Sequence, residues 1–449
     1  MRSRSRCKVA SSVYHAHGYV SLNVGRPDAD AETVRRSSRT LAACAALACV
    51  LVGTARAGSG LLVGVADDSL KWTNRSQART ALGAMRDLGL QAVRVTVPWQ
   101  PGETRLPLEQ RGPVDQMILA TWGRGLRVVL AVYGSASDAP QTAASADDYC
   151  TFAASLLRRY PGVNDLVIWN EPNTSRFWRP QFAQDGTSLA PAAYEVLLAR
   201  CWDALHGVRP NVNVIAASSP RGNDRPSATG GSSHSPVNFY RKLGQAYRLS
   251  GRGRPILDTV GHNPYPSSNA ERPWTRHPGS KTIGEGDYQR LMDVLAEAFG
   301  GTAQPLPGQG RVRIWYMEQG FQTTIDPAKA SLYQGTETDR HALPPWIARA
   351  VAGASAGPAP DQATQLTDAL ELAHCQPAVG AFFNFELADE TRLAGWQSGL
   401  LWADLTAKPS YSVFKAAVRS VASGRVDCSR FEEGGVGFST KTPSKATTK

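Results

Sequence analysis

From residue 61 onward, eight short apolar runs alternate with helical patterns, and this alternation constrains the fold more than any other feature of the sequence. Runs rich in Val, Ile, Leu and Ala are typical of parallel strands buried on both faces. Between two of them, Leu291, Leu295 and Phe299 recur with the spacing of an amphipathic helix. No Gly-rich phosphate-binding motif follows the first run, which disfavours an open dinucleotide-binding sheet. The sequence therefore predicts an α/β fold, a (β/α)8 TIM barrel, with strands at 61–66, 92–99, 127–133, 165–169, 213–218, 257–261, 311–317 and 378–385.

One domain can hold the whole barrel. With 449 residues, 42% of them hydrophobic, the chain can bury a large core. We predict a single catalytic domain at 58–423, with an N-terminal extension and secretory signal before it at 1–57. The tail, 424–449, is rich in Gly, Ser, Thr and Lys towards its end and is expected to be partly disordered.

The N-terminal segment has the parts of a secretory signal. A basic stretch at 35–39 precedes an apolar run at 41–53, and Ala-Arg-Ala follows at 55–57. The apolar run is shorter than the roughly 20 residues that a membrane-spanning helix takes. We therefore predict export with cleavage near Ala57 and no stable membrane insertion afterwards, with an uncleaved anchor as the alternative. Residues 1–33 are interpreted as an extension upstream of the natural start.

Charge and metal-binding patterns exclude two classes of function. The formal net charge is +11, but much of it lies before residue 58 and the rest forms no basic stripe, so nucleic-acid binding is not expected. No His-x-His or His-Glu-x-x-His cluster occurs, so neither a metal nor another cofactor is expected. We expect a monomer.

Four cysteines follow the predicted cleavage site, and an even number in an exported protein predicts two disulfides. Cys150 and Cys201 fall on helical segments after consecutive strands, while Cys375 ends a late helix and Cys428 lies in the tail. Three connectivities are possible, and we favour Cys150 with Cys201 and Cys375 with Cys428. The spacings are not those of a zinc site.

Two of the predicted strands end in a glutamate. Leu-Val-Ile-Trp-Asn-Glu-Pro-Asn ends the fourth run with Glu171, and Ile-Trp-Tyr-Met-Glu-Gln-Gly ends the seventh with Glu318. The carboxyl ends of barrel strands meet at one face, where enzymes with this fold carry their active sites. Two carboxylates are therefore expected at that face.

The two glutamate motifs resemble the acid/base and nucleophile strands of the retaining glycoside hydrolases of clan A, most closely family 39. His-Asn-Pro-Tyr-Pro, at 262–266, resembles that family's His-x-Tyr-Pro element after strand six. The resemblance implies a (β/α)8 enzyme that hydrolyses a β-linked carbohydrate, with Glu171 as acid/base and Glu318 as nucleophile. Such enzymes hold the two carboxyl groups about 5 to 5.5 Å apart and pass through a covalent glycosyl-enzyme.

The resemblance also implies roles for neighbouring residues. Arg94 and Tyr265 are expected to donate hydrogen bonds to Glu318, Asn170 to hold the sugar 2-hydroxyl, and His262 to bind sugar or support the site. Four tryptophans could stack on sugar faces or equally well pack in the core, and of these the loop residues Trp178 and Trp274 are favoured over Trp99 and Trp396. The last strand reads Ala-Phe-Phe-Asn-Phe where clan members carry a tryptophan.

Less specific interpretations remain open for each of these features. A strand-end glutamate before Pro or Gly often only caps a helix, and Arg94 could serve an ion pair in the barrel core. A transglycosylase would use the same two glutamates, and a catalytically inactive carbohydrate-binding barrel would keep the fold. Xylosides, glucosides and acidic polysaccharides are all possible substrates.

Overall fold

The computed structural model describes residues 60–71, 73–227, 231–337 and 361–432. Eight parallel strands form a closed barrel in which the last strand pairs with the first. The predicted (β/α)8 barrel is therefore confirmed. The strands are β1 Leu62–Ala66, β2 Ala92–Pro98, β3 Arg127–Tyr133, β4 Asp165–Ile168, β5 Asn213–Ala216, β6 Thr259–His262, β7 Arg313–Gln319 and β8 Val379–Phe385.

One α-helix follows each strand, and a short ninth helix lies at the end of the residues that the structure describes. Local sequence sets their ends: Asn74 and Gln77 form a capping box at the start of the first helix, and Gly89 ends it with φ of 79°. The helices are α1 Arg75–Leu88, α2 Leu108–Trp122, α3 Ala143–Arg159, α4 Ala190–Val208, α5 Pro236–Leu249, α6 Tyr288–Phe299, α7 Gln362–Cys375, α8 Ser410–Ala422 and α9 Ser429–Glu432.

The core has two layers. One lies between the strands and the surrounding helices, and a smaller one fills the barrel interior with side chains such as Val129, Ile215, Trp315 and Phe383. Gly64 on β1 makes room for Phe383, because a Cβ there would lie 2.7 Å from the Phe383 ring. The interior is thus a packed core, and substrate can only be bound above it, at the strand ends.

Two disulfides tie elements of the barrel together. Cys150 in α3 is bonded to Cys201 in α4, and Cys375 at the end of α7 is bonded to Cys428 just before α9. Both predicted pairings are confirmed.

The segment 424–432, which the sequence assigned to a tail, packs on the barrel. Phe431 is buried against Trp274, and Arg430 contacts Glu371 at 2.5 Å. Residues 433–449, together with the predicted signal and its cleavage site near Ala57, lie outside the described residues. In the part of the chain that is described, no helix is both long and apolar enough to cross a bilayer.

Candidate active site

One cleft of about 640 Å³ opens at the carboxyl ends of the strands, and both glutamates predicted from the sequence line it. Its walls come from the ends of β1, β2, β3, β4, β7 and β8 and from the loops that follow β4, β5, β6 and β8. The residues used below that line it are Asp68, Arg94, Asn170, Glu171, Arg176, Phe177, Arg221, Tyr265, Glu318, Phe385, Glu386, Glu390 and Trp396.

Each carboxylate oxygen of Glu318, near the end of β7, has one donor. Arg94 Nη1 on β2 lies 2.7 Å from Oε1, and the Tyr265 hydroxyl donates to Oε2 at 3.1 Å. A guanidinium and a hydroxyl both donate hydrogen bonds that stabilise a negative charge on a carboxylate. Arg94 and Tyr265 thus make the contacts that the sequence predicted.

Arg94 also connects the two glutamate strands. Its second terminal nitrogen, Nη2, donates to Asn170 Oδ1 at 3.0 Å. Asn170 directly precedes Glu171 and lines the cleft, almost completely buried. One guanidinium therefore sets the relative positions of β7, which carries Glu318, and of the end of β4, which leads to Glu171.

The backbone leaves β4 sharply at Glu171. Both Trp169, with φ of 64°, and Glu171, with φ of 37°, lie in the left-handed region, and Pro172 follows. Non-glycine residues adopt that region only where the surrounding structure compels them. The turn brings the Glu171 side chain into the cleft, where Asn263 Nδ2 donates to its Oε1 at 2.9 Å.

Burial is the main reason why the pKa of Glu171 is raised, to about 7, and the negative charge of Glu318 adds to it. The Asn263 hydrogen bond and the positive charges of Arg176 and Arg94 act in the opposite direction. Although the carboxyl group reaches the cleft, the surrounding protein shields it from water, so a large protonated fraction is present near neutral pH. The two carboxyl groups of the cleft therefore lie in unlike surroundings, one buried beside a single amide donor and the other between a guanidinium and a hydroxyl.

His262 supports the site and does not line the cleft, which corrects its prediction as a substrate-binding residue. Its ring is fully buried, with Nδ1 at 2.9 Å from the Ser218 hydroxyl and Nε2 at 2.8 Å from the carbonyl oxygen of Ile283. Since a carbonyl can only accept, Nε2 carries the proton. Burial lowers the pKa of His262 to about 4, so the ring is neutral at physiological pH.

Trp99 and Trp178 do not reach the cleft either, and their expected role in stacking on sugars is wrong. Both are fully buried, in a set of edge-to-face rings built around Trp169. Trp99 also contacts Tyr149 at 5.3 Å between ring centroids, and Trp178 contacts Tyr194 at 5.7 Å. The loop after β4 folds inward over these rings, so its tryptophan becomes part of the core.

Trp274 is likewise outside the cleft. Its ring lies 5.9 Å from Phe431, next to the Cys375–Cys428 disulfide, and the Arg272 guanidinium stacks 5.5 Å from its centre. It therefore anchors the C-terminal segment, and the prediction that it binds sugar is also corrected.

Three other aromatic side chains line the cleft: Phe177, Phe385 and Trp396. The Trp396 ring lies 5.2 Å from both Tyr265 and Phe385, so it supplies an indole next to the tyrosine that contacts Glu318, although β8 itself carries no tryptophan. The sequence contained only a weak signal for it, a tryptophan in the loop after β8. The role of Asn263 was also missed, although it lies inside the His-Asn-Pro-Tyr-Pro motif.

A group of carboxyl groups lines the opposite wall, at the ends of β1 and β8. Asp68, Glu386 and Glu390 face the cleft. Behind them, Asp67 accepts backbone hydrogen bonds from Leu387 at 2.9 Å and from Ala388 at 3.3 Å. Glu386 Oε2 is buried without a hydrogen-bond partner, and burial, reinforced by the charge of Asp67, raises its pKa well above the usual range.

No protein-family model matches the sequence, and no curated protein matches it. Among solved structures, a β-glucosidase from Thermotoga maritima in complex with deoxynojirimycin has a TM-score of 0.51 and 12% identity, over 82% of this chain and 98% of that one. A GH2 β-galacturonidase from Eisenbergiella tayi bound to galacturonate has a TM-score of 0.48 and 13% identity, over 80% of this chain and 51% of its own length, so this chain spans about half of it.

GH5_18 from Streptomyces cattleya in complex with GlcNAc has a TM-score of 0.47 and 15% identity, over 81% of this chain and 80% of that one. The similarity to the β-glucosidase concerns the barrel fold. At such low identity, it does not identify the activity of this chain.

Proposed function

We propose that this protein is a secreted retaining β-glycoside hydrolase of clan A, most similar to family 39, with Glu171 as acid/base and Glu318 as nucleophile. The observation that carries the proposal is that two glutamates share one cleft in unlike environments. Glu171 has a pKa raised to about 7, while Arg94 and Tyr265 donate to both oxygens of Glu318. One protonated and one ionised carboxyl group are what glycoside hydrolysis with retention requires.

In the first step, Glu318 attacks the anomeric carbon while Glu171 gives its proton to the leaving glycosidic oxygen. The bond between that carbon and the leaving oxygen breaks, and an ester to Glu318 forms. Asn170, fixed by Arg94, is placed to hold the sugar 2-hydroxyl, a contact that strengthens as charge develops on the ring.

In the second step, Glu171 must act as a base. Formation of the ester removes the negative charge of Glu318, which is one of the causes of the raised pKa of Glu171. The pKa of Glu171 then falls, so the carboxylate can take a proton from the water that attacks the anomeric carbon. Cleavage of the ester returns Glu318 to its ionised state.

Activity assays on aryl β-glycosides and β-linked polysaccharides test this proposal. They compare the parent protein with Glu318→Gln, with Glu171→Ala and with a substitution on the protein surface as control. We expect Glu318→Gln to abolish turnover, because no nucleophile remains. Glu171→Ala should lower kcat/KM by about 10²- to 10⁴-fold for poor leaving groups and much less for a dinitrophenolate, which leaves without a proton. Glu297→Gln, an exposed position on α6 that pairs with Arg241, should leave turnover unchanged.

Azide provides a second readout for Glu171→Ala. A small anion can enter the space vacated by the carboxylate and attack the glycosyl-enzyme, so rescue should yield a β-glycosyl azide. Turnover that survives in both variants would mean that another carboxyl group carries the chemistry. A parent protein inactive on every substrate would instead favour the carbohydrate-binding barrel.

A further inference from the structure

The two walls of the cleft carry opposite charges. Asp68 and Glu390 lie on the wall formed by β1 and β8, and Asp68 also contacts Lys71 at 3.1 Å. Glu386 lies beside them, but its raised pKa favours the neutral form, so it is not counted among the charges. On the other wall, Arg176 comes from the loop after β4 and Arg221 from the loop after β5. A substrate that spans the cleft therefore meets acidic groups at one end and basic groups at the other.

Within the described residues, neither arginine has a carboxylate partner. Arg176 stacks on Phe177, with its guanidinium 5.6 Å from the ring centre. Arg221 donates to the carbonyl oxygen of Tyr265 at 2.7 Å and more weakly to Ser267 Oγ at 3.4 Å, and its Nε is buried without a partner. Because Arg221 Nε is enclosed by protein, the terminal nitrogens of the two guanidinium groups are the atoms that can reach a ligand. Cations without a carboxylate partner in a cleft are suited to binding an anion.

These arginines lie on the acid/base side. The charge of Arg176 lowers the pKa of Glu171. Burial lowers the pKa of Arg221, and the charges of Glu271 and, to a smaller extent, Glu171 act in the opposite direction. Neither arginine is ion-paired with Glu171, whose hydrogen-bond partner is Asn263. A role limited to neutralising Glu171 would place at least one of them in direct contact with it.

The acidic wall lies on the nucleophile side. Arg94, which holds Glu318, accepts a backbone hydrogen bond from Asp67 at 3.1 Å, so β1 and the nucleophile's main partner are adjacent. During hydrolysis the sugar that becomes bonded to Glu318 must therefore lie near the acidic wall. The leaving group, which takes its proton from Glu171, must lie near the arginines.

We propose that the cleft selects an acidic glycan whose leaving-group sugar carries a carboxylate or sulfate bound by Arg176 and Arg221, while the sugar transferred to Glu318 is not anionic. This inference rests on the proposed function for its assignment of the two ends. It narrows the substrate class, since the acidic wall repels a uronic acid at the nucleophile end.

Binding to a Glu318→Gln protein, measured by calorimetry, tests the inference without turnover. The probe is a β-linked oligosaccharide with a neutral sugar at the non-reducing end followed by a uronic acid, compared with the same oligosaccharide after carboxyl reduction. We expect the acidic form to bind about tenfold tighter per arginine engaged and to lose this advantage in about 0.5 M salt. Sulfated and carboxylated versions of one oligosaccharide distinguish the two anions.

Arg176→Met and Arg221→Met keep the aliphatic stem and remove the charge, so together they should abolish the preference for the acidic form. Arg225→Met is the matched control, because Arg225 is exposed in the same loop as Arg221 but does not line the cleft. Equal binding of the two forms, including no binding of either, overturns the inference, as does a preference that survives both substitutions. Turnover of neutral aryl β-glycosides together with equal binding of the acidic and the reduced oligosaccharide would overturn this inference alone and leave the proposed function standing.

Discussion

Asn263 and Tyr265, two positions apart in the segment after β6, serve opposite carboxyl groups. Asn263 donates to Glu171, and Tyr265 donates to Glu318. Both bonds stabilise an anion, but burial outweighs the single donor at Glu171, and its pKa is raised to about 7. The protonation state of each glutamate thus depends on the balance between desolvation and hydrogen bonding at single atoms.

Asn263→Ala should move the basic limb of the pH profile of kcat/KM to higher pH. The Asn263 hydrogen bond lowers the pKa of Glu171, so its removal raises that pKa and keeps the acid protonated further into the alkaline range. We expect a limb near pH 7 in the parent and an upward shift of about half a unit in the variant. Asn211→Ala, exposed at the other end of the barrel, should not shift the limb, and a downward shift in Asn263→Ala would contradict the assignment of Glu171.

At the scale of elements, a buried chain of hydrogen bonds joins β5, β6 and the segment that leads to α6. Ser218, just beyond β5, contacts His262 at the end of β6, and His262 reaches the carbonyl oxygen of Ile283. Asn263 follows His262 directly. The end of β6, which leads to Asn263 and its hydrogen bond to Glu171, is therefore held by β5 on one side and by the segment before α6 on the other.

His262→Gln should weaken the acid sensitivity of folding. The folded-state pKa of His262 is about 4, below the ordinary histidine value of 6.5, so its neutral form contributes stability that is complete above pH 6.5 and is lost as the pH falls towards 4. Gln can make both hydrogen bonds but does not titrate. Between pH 7 and about pH 4.5, urea unfolding should show the parent losing about 2 kcal/mol more than the variant.

The half-buried His206, which pairs with Asp258 at 2.9 Å, supplies the comparison for that measurement. His206→Gln removes a histidine from the protein without touching the buried chain, so it separates the effect of His262 from the effect of losing a histidine elsewhere. Equal pH dependence in the parent and in His262→Gln would mean that His262 is not neutral in the folded protein.

At the scale of the whole molecule, contacts distant in sequence close the barrel and secure its C-terminal end. Asp67 on the first strand's end binds the backbone after β8, more than 300 positions away. The two disulfides close loops of similar length, with sequence separations of 51 and 53. Cross-links of this kind stabilise a fold chiefly by restricting the unfolded chain.

Removal of either disulfide by paired Cys→Ser substitutions should lower the free energy of unfolding by about 4 kcal/mol, and by nearly the same amount for both pairs. Loop-closure entropy depends on separation, and the separations are almost equal. Denaturant unfolding of the mature protein and of the two double variants measures the losses. Two unequal losses would show that local packing, such as that of Phe431 on Trp274, adds to the entropic effect, and no loss from either pair would contradict the cross-links.

The sequence by itself determined the barrel and the polar strand ends, and it favoured, among three possible connectivities, the disulfide pairs that the structure shows. Strand ends are predictable because the topology brings the carboxyl ends of all eight strands to one face, wherever they lie in the chain. Position along a strand was therefore enough to bring Arg94, Glu171 and Glu318 together, and Tyr265 with them. Local patterns also sufficed for α1, which begins and ends where its capping residues indicate.

Only the tertiary structure decided which aromatic rings face the cleft and how charge is divided across it. Trp178 and Trp396 both lie in loops after strands, yet one packs in the core and the other beside Tyr265. Loop direction depends on packing against distant helices, which no local periodicity encodes. Tertiary packing also decides the burial that raises the pKa of Glu171 and lowers the pKa of His262. Burial depends on which parts of the folded chain surround each side chain.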